Sequence, residues 1–390
     1  MDDTADIPGA ADAAAMARAV ALGESGRRTS APNPWVGCVL VRRGAVVGEG
    51  FHRAAGEPHA EALALRAAGE RAQGATAYVT LEPCAHHGRT PPCADALVAA
   101  GIERVVVAVL DPDPRVAGRG VARLRAAGVS VEVGVGSDEV GRSLAPYLHQ
   151  RRTGRPYCVL KAAVSLDGRT AAADGSSRWI TGPAARGDAH ALRAASQAVV
   201  VGAGTALADA PSLTVRDAPE PRDRQPLRVL LDTRGRVPAS GPLFDTDLAP
   251  TLVVTTERAD PQIVAAWRAA GAEVARVSPA AGGRGVDLSA ALALLADRGV
   301  LQALVEGGAT LHGALFAAAL ADRLVLYVGG CLLGERGRPL AVWPGPETIG
   351  AAPRWRLAGV CELGGDARLD YEPVPEAAHQ AAPGPLREAA

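Results

Sequence analysis

The sequence predicts an α/β protein built as two layered domains, and three observations carry that reading. Apolar, strand-like runs alternate with helix-period segments along most of the chain. The 390 residues are enough for two domains of about 100–200 residues, each with its own core. The pattern breaks once in mid-chain, at the basic, Gly- and Pro-punctuated Arg151-Arg152-Thr153-Gly154-Arg155-Pro156. With 48% apolar, 21% charged and only 3% aromatic residues, the cores must be aliphatic.

Residues 1–10 read as a disordered start and 11–152 as the first domain. Ala11–Leu22 is helical and ends near Gly23. Val36–Val41 and Ala45–Gly50 form a strand pair turned around Arg42-Arg43-Gly44. Next come helix 59–68, strand 75–81, helix 93–100 closed by Gly101, and strand 105–110. Helix 119–127, capped by Gly128, and strand 129–135 follow. The second domain, 155–372, opens with strand 157–164. It continues with helix 183–194, strands 198–202, 227–231 and 251–255, helices 261–270 and 288–297, strand 301–305, helix 309–320 and strand 323–328. Residues 373–390 are rich in Pro and Ala without periodicity and read as a disordered tail.

Several function classes are disfavoured at once. A formal net charge of −1 gives no drive toward nucleic acid or an anionic membrane. No apolar run approaches the roughly 20 residues that span a bilayer. The acidic opening Met1-Asp2-Asp3-Thr4-Ala5-Asp6 lacks the basic start and apolar stretch of a signal peptide. Six cysteines are too sparse for a disulfide scaffold, so a reduced, cytoplasmic setting is expected.

The first chemical signal is His59-Ala60-Glu61, followed past one helix and one strand by Pro83-Cys84 and then Cys93. One imidazole and two thiolates supply the three protein ligands of a catalytic zinc and leave the fourth position for water. A carboxylate that does not bind the metal must then carry the water proton to the leaving amine, and Glu61 suits that task. Residues two apart on a helix point about 200° apart. His59 and Glu61 can converge only because they sit at the first turn, where side chains lean toward the helix start. Cys93 also opens a helix, whose positive end favours a thiolate. Separately, a His-x-Glu at a helix start and a pair of buried cysteines are both ordinary. His86 and His87 could instead close a four-ligand structural site.

These residues resemble the zinc-dependent cytidine-deaminase-like superfamily, with its His-x-Glu and Pro-Cys-x-x-Cys signature. Here eight residues rather than two separate the cysteines. The longer loop from Glu82 to Cys93, the turn Pro32-Asn33-Pro34, Gly56-Glu57-Pro58-His59-Ala60-Glu61 and Asp111-Pro112-Asp113-Pro114 are similar to the riboflavin-biosynthesis branch. The resemblance implies a three-layer α/β/α deaminase domain acting on a diaminopyrimidine ribosyl phosphate, with Asn33, His86, Arg89 and Asp111 touching substrate. Asp113 stands where Asn is more common, and Ala85 where Ser is usual.

The second half has no strand-linked Gly-x-Gly-x-x-Gly. It has Val201-Gly202-Ala203-Gly204-Thr205 and Val305-Glu306-Gly307-Gly308-Ala309-Thr310, the latter a strand running through two glycines into a helix. Such a turn can hold an anionic phosphate, or it can simply be a tight turn. Among 41 basic residues only Lys161 is a lysine, which suggests a place where a compact ammonium is wanted. Asp167-Gly168 reads as a hairpin turn.

This half is similar to the reductase domain of the same bifunctional riboflavin enzymes, which has a dihydrofolate-reductase-like α/β fold. The resemblance implies NADPH near Ala163, Trp179, Thr205, Asp209, Thr233 and the run Gly308, Ala309, Thr310, Leu311, His312, Gly313 and Ala314. It implies substrate near Lys161, Ser177, Arg193, Leu213, Arg216 and Glu306, with Arg193 and Arg216 on phosphate. Zn2+ and NADPH are the expected cofactors, a pyrimidine ribosyl phosphate the expected ligand, and a homo-oligomer the expected assembly. A nucleic-acid base deaminase is opposed by the charge and the few aromatics. A non-catalytic, zinc-stapled binding module is the third reading.

Overall fold

The computed structural model describes residues 9–86, 92–216 and 225–375. The chain forms two compact units whose main boundary falls at Pro156 and Tyr157.

In the first unit, β1 (Gly37–Arg42) and β2 (Ala45–Phe51) form a hairpin. It turns through Arg43 and Gly44, both at positive φ (51° and 78°), as a two-residue hairpin turn requires. On its other side β1 pairs antiparallel with β3 (Thr76–Leu81). Parallel β4 (Arg104–Val109) and β5 (Ser130–Val133) complete a five-stranded sheet of order β2-β1-β3-β4-β5. Alternating residues feed two cores. Cys38, Leu40, Ala77, Val79, Val105 and Val107 pack against α2 (Ala60–Ala68), α3 (Cys93–Ala99) and α4 (Arg119–Ala126). Val39, Tyr78, Val106 and Ala108 pack against α1 (Ala10–Glu24), α5 (Ser137–Ser143) and α6 (Ala145–Thr153). The result is a three-layer α/β/α unit.

Helices α5 and α6 were not expected from the sequence. They are short and rich in charge, so their apolar period is carried by only Val140, Tyr147 and Leu148, with Leu144 buried at the junction between them. Arg151–Thr153, read as part of a link, is the last turn of α6, and Gly154 caps it in the left-handed region (φ 73°).

The second unit holds a nine-stranded sheet of order β11-β10-β9-β8-β12-β6-β13-β16-β15. Seven strands run parallel: β6 (Tyr157–Ser165), β8 (Ala198–Gly202), β9 (Leu227–Leu231), β10 (Thr251–Thr255), β11 (Glu273–Arg276), β12 (Gln302–Val305) and β13 (Arg323–Gly329). Runs such as Val199-Val200-Val201 and Ala303-Leu304-Val305 are buried throughout, as parallel strands covered on both faces should be. Helices α7 (Pro183–Ala194), α8 (Ala203–Asp209), α9 (Pro261–Ala269), α10 (Leu288–Asp297) and α11 (Ala309–Ala317) connect them. Antiparallel β16 (Asp366–Pro373) and β15 (Trp355–Leu363) extend the sheet beyond β13.

That last hairpin was also not foreseen, because β15 leaves most of its side chains in solvent and lacks an apolar alternation. Pro373, read as the first tail residue, ends β16; residues 376–390 lie outside the described set. Gly168 does turn the chain, donating its N–H to the Ser165 carbonyl at 2.9 Å. The strand that follows, β7 (Arg169–Ala171), pairs not with β6 but with β14 (Arg338–Pro339).

Candidate active sites

His59 is the N-cap of α2, with extended backbone (φ −70°, ψ 162°), so the helix begins one residue later than expected. Its side chain is therefore not bound by helical periodicity. Glu61, on the first turn, is buried. Cys84 follows the end of β3, and Cys93 is the first residue of α3. Their ligand atoms converge: the His59 imidazole and both sulfurs lie within 4.8 Å of one another. His59 Nδ1 is 3.2 Å from the Cys93 Sγ and 3.7 Å from the Cys84 Sγ. Two soft sulfurs and a borderline nitrogen suit zinc. Among the described residues no fourth donor joins them; His86 is exposed and outside the group.

The two cysteines differ in their surroundings. The Cys93 thiol hydrogen-bonds the Cys84 sulfur, and with His59 it holds Cys84 down at about 4. The backbone N–H of Cys93 donates to that same sulfur at 3.3 Å, so the start of α3 serves Cys84. Cys93, beside a thiolate and buried, is pushed up. Burial raises the Glu61 carboxyl, against the pull of the His59 charge.

Two further residues shape this site and carried no local signal. His52 is buried, with Nε2 3.1 Å from Asn33 Nδ2 and Nδ1 3.2 Å from the Pro58 carbonyl. Its ring meets His59 edge-on at 5.3 Å. Glu82, also buried, accepts from the N–H groups of Asp111, Gly118 and Val121 and so ties the Cys84 loop to the start of α4.

In the second unit, Lys161, Arg193 and Glu306 form one charge cluster. Arg193 grips Glu306 through Nε–Oε1 at 2.5 Å and Nη2–Oε2 at 2.8 Å, and its Nη1 donates to the Thr214 carbonyl at 3.0 Å. Burial would raise the Glu306 carboxyl, but the charge and hydrogen bonds of Arg193, with the charge of Lys161, hold it at about 2. Burial pushes Lys161 down while Glu306 opposes that. The Lys161 Nζ sits 5.7 Å over the Tyr327 ring. Beside this cluster, Gly308 caps α11, and a Cβ built there would lie 3.4 Å from Thr205 Oγ1. That open cradle at a helix start suits a coenzyme phosphate.

Residues 156–369 match the family model described as RibD C-terminal domain, and residues 10–109 match the cytidine and deoxycytidylate deaminase zinc-binding region. The riboflavin biosynthesis protein RibD of Escherichia coli is 44% identical over 366 residues, covering 91% of this chain and 97% of that protein. The chain belongs to the RibD family. Its counterpart from Chlamydia trachomatis is 49% identical over 326 residues, 83% of this chain and 86% of that one. The solved RibD of Acinetobacter baumannii superposes with a TM-score of 0.84 at 42% identity, covering 94% and 99% of the two chains. A Thermotoga maritima structure named as a diaminohydroxyphosphoribosylaminopyrimidine deaminase/5-amino-6-(5-phosphoribosylamino)uracil reductase gives 0.82 at 31% identity, covering 94% and 100%. The fold is thus a cytidine-deaminase-like domain followed by a RibD reductase domain, and the protein is a bifunctional enzyme of riboflavin biosynthesis.

Within this RibD family member, the residues expected to touch ligands fall into distinct groups. Arg89 and His87 lie outside the described residues. Asp111 is buried and engaged internally, accepting from the Tyr147 hydroxyl at 3.1 Å and the Asp113 N–H at 2.9 Å. Leu213 buries its side chain among Leu230, Phe244 and Trp267, so only its backbone can meet a ligand. The run from Gly308 to Ala314 is helical beyond its first residue and cannot present every member to one ligand. Gly308, Thr310 and Ala314 are exposed, while His312 and Gly313 are buried. His312 Nδ1 faces the Leu340 carbonyl at 3.3 Å, and a Cβ at Gly313 would lie 2.0 Å from the Val342 carbonyl oxygen. Thr205 and Thr233 lie just past the carboxyl ends of β8 and β9, and Asp209 closes α8. Ala163 and Lys161 are on β6. Trp179 is exposed under the Arg186 guanidinium at 4.3 Å, with Ser177 two residues before it. The Arg216 N–H donates to His190 Nδ1 at 3.1 Å, and its side chain is in solvent.

Proposed function

We propose that the first unit hydrolytically deaminates 2,5-diamino-6-ribosylamino-4(3H)-pyrimidinone 5′-phosphate at its 2-amino group. The second unit then reduces the ribosyl chain of the product to ribityl with NADPH, giving 5-amino-6-ribitylamino-uracil 5′-phosphate. The observation that carries this is the convergence of His59, Cys84 and Cys93 beside the buried Glu61. The printed name of the Thermotoga maritima relative supports the substrate class.

His59, Cys84 and Cys93 would hold zinc, which when bound makes water nucleophilic near neutral pH. Glu61 takes the proton from the attacking water at its carboxylate and delivers it to the departing amine. Asn33, steadied by His52, orients the pyrimidine, with His86 and Arg89 as further contacts and Asp111 shaping the wall behind them. In the second unit NADPH supplies hydride. Gly308, Ala309 and Thr310 hold its phosphates, Thr205, Asp209 and Thr233 line the same strand ends, and Ala163 and Trp179 flank the nicotinamide half. The Arg193–Glu306 pair fixes a carboxylate in its anionic state next to Lys161, so that Glu306 and Lys161 grip the sugar hydroxyls. Arg193, expected on the substrate phosphate, instead spends its guanidinium on Glu306 and the Thr214 carbonyl. Ser177 and Arg216 meet the substrate phosphate. The reading includes a cytoplasmic setting, a homo-oligomer and domains at 11–152 and 155–372. Among the described residues no helix is long and apolar enough to cross a membrane.

The test is Glu61→Gln. Ammonia release should fall by at least about 100-fold, the scale of general acid–base catalysis. Zinc content and NADPH oxidation on deaminated substrate should stay at wild-type values. Deamination persisting in that variant would refute the assignment of Glu61.

A further inference from the structure

We propose that Tyr327 is a positioning residue of the reductase, its ring face steadying the Lys161 ammonium against the sugar while Asp188 and Arg368 lock the ring, an inference that rests on the assignment of Lys161 to the sugar above. Strands β6 and β13 run side by side, with Val325 opposite Lys161 and Tyr327 opposite Ala163. Partners in a parallel register share a face, and so do residues two apart. Lys161 and Tyr327 are therefore diagonal neighbours on one face of the sheet. Helix α7 covers that face, with Ala185 and Ala189 packed among Val159, Val325 and Tyr327. The Lys161 Nζ lies 5.7 Å from the centre of the buried Tyr327 ring. A cation at that distance is drawn to the negative face of the ring, and more strongly once water is excluded.

An aromatic face holds a cation only if the ring cannot turn away, and this ring is tied at its far end. The Tyr327 hydroxyl donates to Asp188 Oδ2 on α7 at 2.5 Å. Arg368, directly opposite Tyr327 on β16, donates to the same oxygen at 2.8 Å. Arg368 also bonds Asp370 at 2.9 Å, and Arg323 reaches Asp370 at 2.7 Å. Two arginines balance two aspartates, so the network fixes the ring without adding net charge beside Lys161. Burial and the Asp188 acceptor push the phenol up, which keeps it a neutral donor. The other titratable or charged groups around Lys161 are Glu306 after β12, Arg193 on α7 and His312 on α11. Burial disfavours the ammonium, Glu306 attracts it and Arg193 repels it. Arg193 already engages both oxygens of Glu306. Burial holds His312 at about 4, so it adds no charge at neutral pH. The Tyr327 face is thus a second, uncharged hold on the cation, and α7 supplies both clamps: Arg193 fixes Glu306 and Asp188 fixes Tyr327.

The experiment is the alkaline pH profile of kcat/KM for reduction of the deaminated substrate, which reports ionisations of the free enzyme. The full chain is compared as wild type, Lys161→Gln, Tyr327→Phe and Tyr327→Leu, with NADPH binding as the check that the second unit is folded. Wild-type activity should fall as Lys161 loses its proton, and Lys161→Gln should be slow and lack that limb. Losing the ring disfavours the ammonium, so Tyr327→Leu should move the limb down by about 0.7–1.5 pH units. Above both limbs its kcat/KM should then be about 5- to 30-fold below wild type. Tyr327→Phe keeps the ring and should recover most of that loss. Should Tyr327→Leu not fold, phenylalanines carrying one, two and three ring fluorines in place of Tyr327 weaken the ring face at nearly constant volume and should shift the limb stepwise. A limb that stays fixed when the ring is removed or fluorinated would make Tyr327 a packing residue and overturn the proposal. A loss in Tyr327→Phe as large as in Tyr327→Leu would overturn it as well. A Lys161→Gln enzyme with the wild-type profile would instead remove the assignment of Lys161 to the sugar.

Discussion

Gly50→Ala probes how the zinc-ligand helix is held in place. Gly50 lies on β2 beneath the start of α2, and a Cβ built there would be 2.4 Å from the Ala60 carbonyl oxygen and 2.7 Å from both the Ala64 N and the Leu63 Cβ. Ordinary contact begins at 3.4 Å, and two of the three obstacles are backbone atoms that no rotamer change can move. Helix α2 must therefore retreat by about 1 Å, a displacement that can cost about 100-fold in a preorganised site. Ala60 is flanked by His59 and Glu61, so the retreat carries the imidazole away from Cys84 and Cys93 and misaligns the proton carrier with it. Metal ligands tolerate only about 0.2 Å of error, so zinc affinity should drop about 10- to 100-fold. Overpacking should also cost the first unit about 1–3 kcal/mol. Competition with a chromogenic chelator reads the zinc affinity, and ammonia release at saturating zinc reads the alignment. NADPH oxidation on deaminated substrate serves as an internal control. Gly44→Ala is the companion: it strains the hairpin turn at φ 78° with nothing within 4 Å, so it should lower stability and keep zinc. A Gly50→Ala protein with wild-type zinc affinity and deamination rate would refute the argument.

Two further perturbations follow from the same structure. Glu306→Gln leaves the Arg193 guanidinium buried without its counter-charge and should destabilise the second unit by about 3–5 kcal/mol, read by chemical denaturation. Because the folded carboxyl is held at about 2 against an ordinary 4.5, wild-type stability from this group is complete above pH 4.5 and is lost as pH falls toward 2. The variant should lack that acid slope, and an unchanged slope would contradict the pairing. His52→Ala removes the contact to Asn33 and the tie to the Pro58 carbonyl. It should raise the deamination KM about tenfold, with zinc retained and partial recovery in His52→Gln; a KM that does not move would show that Asn33 needs no such support.

The legible parts of this molecule are those whose chemistry sits at element boundaries. His59, Glu61 and Cys93 mark helix starts and Cys84 follows a strand end, and period and punctuation locate such boundaries well. The 200° separation of His59 and Glu61 along a helix stops mattering because His59 is the N-cap and not a helical residue. What stayed hidden is long-range. His52 has no local motif, and its role appears only when Asn33, 19 residues earlier, folds onto its ring. Glu82 reads as a polar strand end until three N–H groups from 29 to 39 residues downstream converge on it. The glycines at 50, 120 and 313 look like weak spots in strands and helices, yet each marks a place where two backbones come closer than a Cβ allows. Arg193 and Glu306 illustrate the same point for charge. Each alone suggests a ligand contact, and 113 residues separate them, but folding joins them into one pair. A residue type therefore announces what chemistry it can perform, while its partner, which decides its protonation and its freedom to meet substrate, is set by the tertiary fold.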